Sequence, residues 1–152
     1  MRFADEITID APAEQVWAVY SDVTHWSEWT ASITSVELLD DGTGPPIGGP
    51  PVGELAIGTR ARIRQPKLPV AVWEVTEWEP GRTWTWVATG PGVRSTATHT
   101  VVPTGDDTCR VDSSLTQEGP LGWVIARLYA GLTRRSLAME AAGLKTRCES
   151  RS

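Results

Sequence analysis

An α+β fold, one curved antiparallel sheet closed by a long C-terminal helix, is predicted by three features of this 152-residue chain. A strand-like run opens it and leads into two short helical stretches. Six further strand-like runs follow, most of them set off by tight-turn residues. From about Leu121 to Glu149 the pattern is helical. Strands and helices segregated in this way form one sheet with helices on one face. A strongly curved sheet around a long helix leaves a space between them, expected at several hundred Å3, on the scale of ordinary ligand sites.

The first run, "RFADEITIDAP", alternates Phe3, Asp5, Ile7 and Ile9, as a strand does. Pro12 is tolerated where a helix begins, and Glu14 suits the positive end of the helix dipole. Ala13, Val16, Trp17 and Tyr20 then fall at i, i+3, i+4 and i+7, the spacing of an amphipathic helix. Ser21 and Asp22 are candidate caps for a second short helix, on which Val23, Trp26 and Trp29 share a face. "SITSVELLD" reads as the next strand.

"DDGTGPPIGGPPVGELAIG" excludes both helix and central strand through its paired glycines and prolines. The roughly 40 residues before it are too few to bury a core alone, so it is a loop within one domain spanning 1–152, not a linker. A loop of this length is uncommon in a compact domain, and Gly42 to Gly53 is expected to be among its most mobile segments.

"TRARIRQ", "VAVWEVTEW", "RTWTWVAT", "VRSTATHTVV" and "CRVDSSLTQE" are the remaining strands. "EPGR", "GPGV" and "PTGDDT" supply turn chemistry, so the pairing is antiparallel. Gly119-Pro120 ends the sheet. In the final helix Leu121, Ile125, Leu128, Leu132 and Met139 lie near one stripe, with Leu128 and Leu132 expected to face the cavity. Leu137 and Leu144 fall on the other side, and Gly131 marks the expected bend.

Bulk composition narrows the function classes. Hydrophobic residues make up 40% and charged residues 22%, an ordinary globular balance. A formal charge of −5, from 14 basic and 19 acidic residues, disfavours a general electrostatic grip on nucleic acid or anionic lipid. No apolar run approaches the ~18 residues of a membrane span. "MRFADEITID" lacks an apolar h-region behind Arg2, so no secretory signal is expected. Cys109 and Cys148 have no C-x-x-C partner and read as free thiols in a reducing cytoplasm. Two histidines 74 positions apart make no metal site, and no nucleotide-binding loop or G-x-S-x-G elbow is present. No cofactor is expected.

Alternation assigns faces to the strands. Arg60, Arg62 and Arg64 share one face, and unpaired guanidiniums are too costly to line a closed apolar space. That face therefore meets solvent, and Gln65 points inward. Trp84 and Trp86 fall together, as do Trp73 with Val75, His99 with Ala97 and Val101, and Val111 with Ser113, Leu115 and Gln117. The inward set is apolar with Gln65, His99, Ser113 and Gln117 as convergent polar groups. Each has a structural reading as well: His99 as a bonded core histidine, Gln117 as a backbone partner, the indoles as core. Eight tryptophans against one phenylalanine nonetheless suit a flat, polarizable lining for an aromatic or polycyclic ligand. Trp26 and Trp29 would form the wall where the short helices meet the cavity, at least one of them as permanent core. His25 is expected to be exposed and inert.

"IDAPAEQVW" followed by "DVTHWSEW" resembles the opening of the SRPBCC superfamily of START-related helix-grip proteins, in its polyketide cyclase/dehydrase-like branch. "WEVTEWEPGR", Trp73 to Arg82, and "TRRSLAMEAAGLK", Thr133 to Lys145, resemble its central strands and closing helix. The resemblance implies the fold over nearly the whole chain. It leaves function open, because this scaffold serves catalysts and binders alike. Aromatase/cyclases of this group place an arginine before the Trp-Glu strand; Arg64 takes that role only if a bulge near Gln65-Pro66 turns it inward.

Three functions are therefore expected to compete. The first is binding or carriage of a small hydrophobic or aromatic molecule. The second is a cyclase or dehydratase using His99, Gln117 and Arg64, with His99 as acid/base because its ordinary pKa lies nearest neutrality. The third is a protein-interaction module. Oligomeric state is not legible.

Overall fold

The computed structural model describes residues 2–39 and 55–150. The segment expected to be mobile, Gly42 to Gly53, lies outside them. Strand β1, Arg2–Ile9, buries Phe3 and Ile9 and leads into α1, Ala13–Tyr20. Pro12 sits at the N-cap with φ −60°, the angle its ring enforces. Val16, Val19 and Tyr20 are the buried face of α1.

The second short helix is a 3-10 turn, Val23–Glu28. Its expected side-chain caps do not form. The Ser21 hydroxyl donates back to the Trp17 carbonyl at 2.7 Å, closing the end of α1, and Asp22 pairs with His25 Nδ1 at 2.9 Å on the surface. Trp26 turns inward and donates its indole N–H to the Tyr20 carbonyl at 2.8 Å, which ties the 3-10 turn to α1.

The remaining strands are β2 Ser35–Leu39, β3 Arg60–Arg64, β4 Ala71–Glu79, β5 Thr83–Gly90, β6 Val93–Pro103 and β7 Cys109–Glu118. They form one seven-stranded sheet in the order β1-β7-β6-β5-β4-β3-β2, with every neighbouring pair antiparallel. Register sets the interior: Trp84 lies opposite His99, Trp86 opposite Ala97, and His99 opposite Ser113. A register shift between Val75 and Glu77 adds a residue to β4, so Trp78 returns to the inner side opposite Trp84.

The C-terminal helix differs from expectation in two ways. It is two helices, α2 Gly122–Leu128 and α3 Ala130–Glu149, meeting at Tyr129, where φ is −105° and ψ 12°. The break thus falls two residues before the expected bend at Gly131, which is helical. The inner face of α3 is also the other one. Thr133, Ser136, Leu137 and Glu140 face the sheet, continued by buried Ala141, Leu144 and Cys148. Leu128 is 71% exposed and Leu121 and Met139 lie off that row, so the leucine stripe read from the sequence is not the packing face. Polar Thr133, Ser136 and Glu140 gave the true inner face the look of a solvent face.

On α3, Gly143 lies against Trp29, the residue that ends the 3-10 turn. A Cβ built there would lie 2.1 Å from the Trp29 carbonyl oxygen, a backbone atom with no freedom to retreat. Gly143→Ala is therefore expected to cost about 1–3 kcal/mol through forced separation of the two elements. Urea denaturation checks this; an unchanged midpoint would mean that the crossing is loose.

Candidate active or ligand-binding site

Seven of the eight tryptophans gather around one point. Trp84, 0% exposed, stacks on the His99 ring at 4.4 Å and 14° between planes. Tyr20 meets Trp84 edge-on at 5.1 Å and His99 at 5.4 Å. Trp17 and Trp78 pack behind Trp84, while Trp26 and Trp86 flank it on the other side. Trp29 joins through Trp26 at 5.8 Å, and Trp73 through Trp86 at 6.0 Å. Ring pairs at these spacings each add about 0.5–1.5 kcal/mol beyond their buried area. Trp123 stands apart, exposed on α2.

Between this cluster and α3 lies a cavity of about 100 Å3. It is smaller than the several hundred Å3 expected, because the indoles that were to line it also fill it. Trp26, Trp73 and Trp86 line one side, from the 3-10 turn, β4 and β5; Gln65, His99, Ser113 and Leu115 line the rest of the sheet. Thr133, Ser136 and Glu140 face them from α3. Three larger surface clefts among the described residues are open to solvent and lined by charged groups: Asp22, Glu28 and Arg147 in one, Arg2, Glu6 and Asp112 in a second, Arg2, Asp5 and Arg134 in the third.

Other candidates from the sequence sit elsewhere. Trp84 is core behind the cavity wall, and Trp29 borders the surface cleft instead. Gln117 donates to the Ser95 hydroxyl at 3.2 Å, away from the lining. Arg64 is exposed on the outer face: no turn brings it inward, because β3 keeps strict alternation with Ile63 buried beside it. Gln65 follows that alternation and reaches back to the Ser32 carbonyl at 3.3 Å. Neither Leu128, which is exposed, nor Leu132, which is half-buried, belongs to the lining.

Two groups that the sequence reading missed complete the site. The Tyr20 hydroxyl donates to Glu140 Oε1 at 3.1 Å. Burial pushes the Glu140 carboxyl up to about 7, a shift that the Tyr20 hydrogen bond opposes and the charge of Asp5 reinforces. The same burial, with Glu140 alongside, raises Tyr20 well above its ordinary value. His99, 5% exposed, is held neutral: desolvation lowers its pKa to about 3, opposed only in part by interaction with the Trp84 backbone. Its Nδ1 has no hydrogen-bond partner among the described residues. Glu140 was legible only as an acidic residue in a helix, since nothing in its spacing marks the side of α3 that faces Tyr20.

Among the described residues no group of three His, Cys, Asp or Glu could hold a metal ion. No described helix is long and apolar enough to cross a membrane.

A curved antiparallel sheet gripping a C-terminal helix, with a cavity between them, defines a START-type ligand-binding fold of the SRPBCC kind. The chain belongs to the family described as polyketide cyclase / dehydrase and lipid transport, whose model matches residues 1–149. Among solved structures it is similar to the Zhui aromatase/cyclase from Streptomyces sp. R1128, with a TM-score of 0.74 at 14% identity over 99% of this chain and 94% of that one. A START superfamily protein from Mycobacterium smegmatis gives 0.72 at 16% over 99% of both chains. A point mutant of norcoclaurine synthase from Thalictrum flavum, in complex with a transition-state analogue, gives 0.71 at 20% over 100% and 96%. At these identities the likeness shows the fold. Comparison with curated proteins finds no match.

Proposed function

We propose that this protein binds a small apolar or aromatic molecule in the cavity between the sheet and α3, as a carrier or binding protein. The observation that carries this reading is the lining itself, three indoles facing a cavity of about 100 Å3. That volume is on the order of the ~150 Å3 apolar cavities that admit benzene. It favours a single ring over the polycyclic ligand expected from the tryptophan count.

Toluene titrated into the protein should quench tryptophan fluorescence with a saturable midpoint. Trp86→Leu should weaken binding by about 1–3 kcal/mol, the scale of one buried aromatic contact. Linear, unsaturable quenching that ignores Trp86→Leu would leave these indoles as core only.

One observation favours a second reading, acid–base catalysis of cyclisation or dehydration: Glu140, with a pKa near 7, can both give and take a proton at neutral pH. His99 could then orient or polarise the substrate, though at about 3 its pKa is too low to carry the proton itself. Neither Arg64 nor Gln117 reaches the lining, and a long keto chain exceeds the volume, so binding is the better reading. If turnover of a cyclic ketone or its precursor is found, Glu140→Gln should lower it by ~100-fold while binding persists.

A further inference from the structure

The register divides the cavity into an apolar and a polar side. Trp73 and Trp86, on β4 and β5, form the ring-binding wall with Trp26. His99 on β6 and Ser113 on β7, paired directly across the sheet, form the polar one. Thr133, Ser136 and Glu140 recur at i, i+3 and i+7 on α3 and bring three further oxygen-bearing side chains over it. Tyr20 links the two sides of this polar end, its hydroxyl on Glu140 and its ring edge-on to His99.

Such groups are costly in an apolar core unless they are satisfied. The Tyr20 hydroxyl engages one oxygen of Glu140. The His99 ring is packed by Tyr20, Trp26, Trp84 and Trp86, and its Nδ1 is buried among them without a partner in the described residues. Burying an ionised group in a cavity walled by indoles is costly, which selects against an ionic ligand, while the hydroxyls that line it offer both donors and acceptors.

We infer that the ligand is a neutral, single-ring molecule bearing one hydroxyl or carbonyl oxygen, with its ring against Trp73 and Trp86 and its oxygen at the end lined by Ser113 and Glu140. This rests on the proposed ligand-binding role and adds the chemical class. The ring alone would gain only from burial, and every small hydrocarbon would compete for the site. The oxygen meets the hydroxyl and carboxyl groups of Ser113, Thr133, Ser136 and Glu140 that line that end, so the site discriminates by the cost of leaving them unpaired.

The test compares phenol, cyclohexanone and benzene by isothermal titration calorimetry on the whole chain. Phenol or cyclohexanone should bind at least ~10-fold more tightly than benzene, the factor that one net hydrogen bond supplies. In Ser113→Ala and in Glu140→Leu the ratio of oxygenated to hydrocarbon affinity should fall towards one. Equal affinities in the wild-type protein would overturn the inference while leaving the proposed function standing, and that comparison needs no variant to fold. A preference that survives both substitutions, with folding verified by circular dichroism, would also overturn it. No binding of any of the three, together with the absence of saturable quenching by toluene, would remove the ligand-binding reading itself.

Discussion

Truncating Trp84 to alanine is expected to cost about 3–5 kcal/mol, the range for deleting a large buried aromatic side chain. Of the cluster, Trp84 alone touches both halves: His99, Tyr20 and Trp86 on the cavity side, Trp17 and Trp78 behind. Removing it therefore opens a void shared by α1, β4, β5 and β6, which cannot all collapse inward at once. Domains of this size have only about 5–15 kcal/mol of stability, so the loss should be visible as a large drop in urea midpoint. Its Nε1 is buried without a partner among the described residues. Trp84→Phe removes that unpaired donor as well as ring volume, and the relief of about 1–3 kcal/mol should offset much of the packing loss. A phenylalanine variant as unstable as the alanine one would show that the indole N–H is satisfied after all.

Strand faces were legible in the sequence and helix faces were not, for a physical reason. On β5 and β6 the period of two is fixed by backbone geometry, so Trp84, Trp86 and His99 had to share a side whatever their chemistry. The rule fails only where the ladder does: strict alternation from Trp73 would turn Trp78 outward, and the register shift after Val75 turns it back. On α3 the reading relied on apolar residues marking the buried side. Here the buried side carries Thr133, Ser136 and Glu140 because it faces a polar end of a cavity, while Leu128 on α2 is exposed. The rule broke at the candidate site, which is also why nothing in the sequence marks Glu140 as facing inward. Cavity size was illegible for a related reason. Counting indoles gives the area of a wall but not how far the rings lean into the space.

Glu140 and His99 should leave opposite signatures in the pH dependence of stability. Glu140 has a folded pKa of about 7 against an ordinary 4.5, so between those values the native protein keeps a proton that the unfolded chain has released. Stability must fall as pH rises across that window, by roughly 3 kcal/mol in all if the shift is fully expressed. His99, at about 3 against 6.5, does the reverse: the unfolded chain takes up a proton that the native protein refuses, so stability falls as pH drops from 6.5 towards 3. The two slopes overlap between about 4.5 and 6.5 and cancel there, which gives a plateau in their joint contribution. Asp5 acts on the same window through its charge on Glu140 and Tyr20 and is unchanged by either substitution. Glu140→Gln removes one slope only. The stability difference between variant and wild type should therefore shift in the variant's favour by up to roughly 3 kcal/mol between pH 4.5 and 7, then stay constant. His99→Phe should instead separate from wild type only below pH 6.5, where the wild-type protein is penalised by its refusal of a proton. Urea titrations at a series of pH values measure both differences directly. A Glu140→Gln difference that does not change with pH would mean that this carboxyl is solvated and ionised throughout, and the neutral polar end of the cavity would lose its donor.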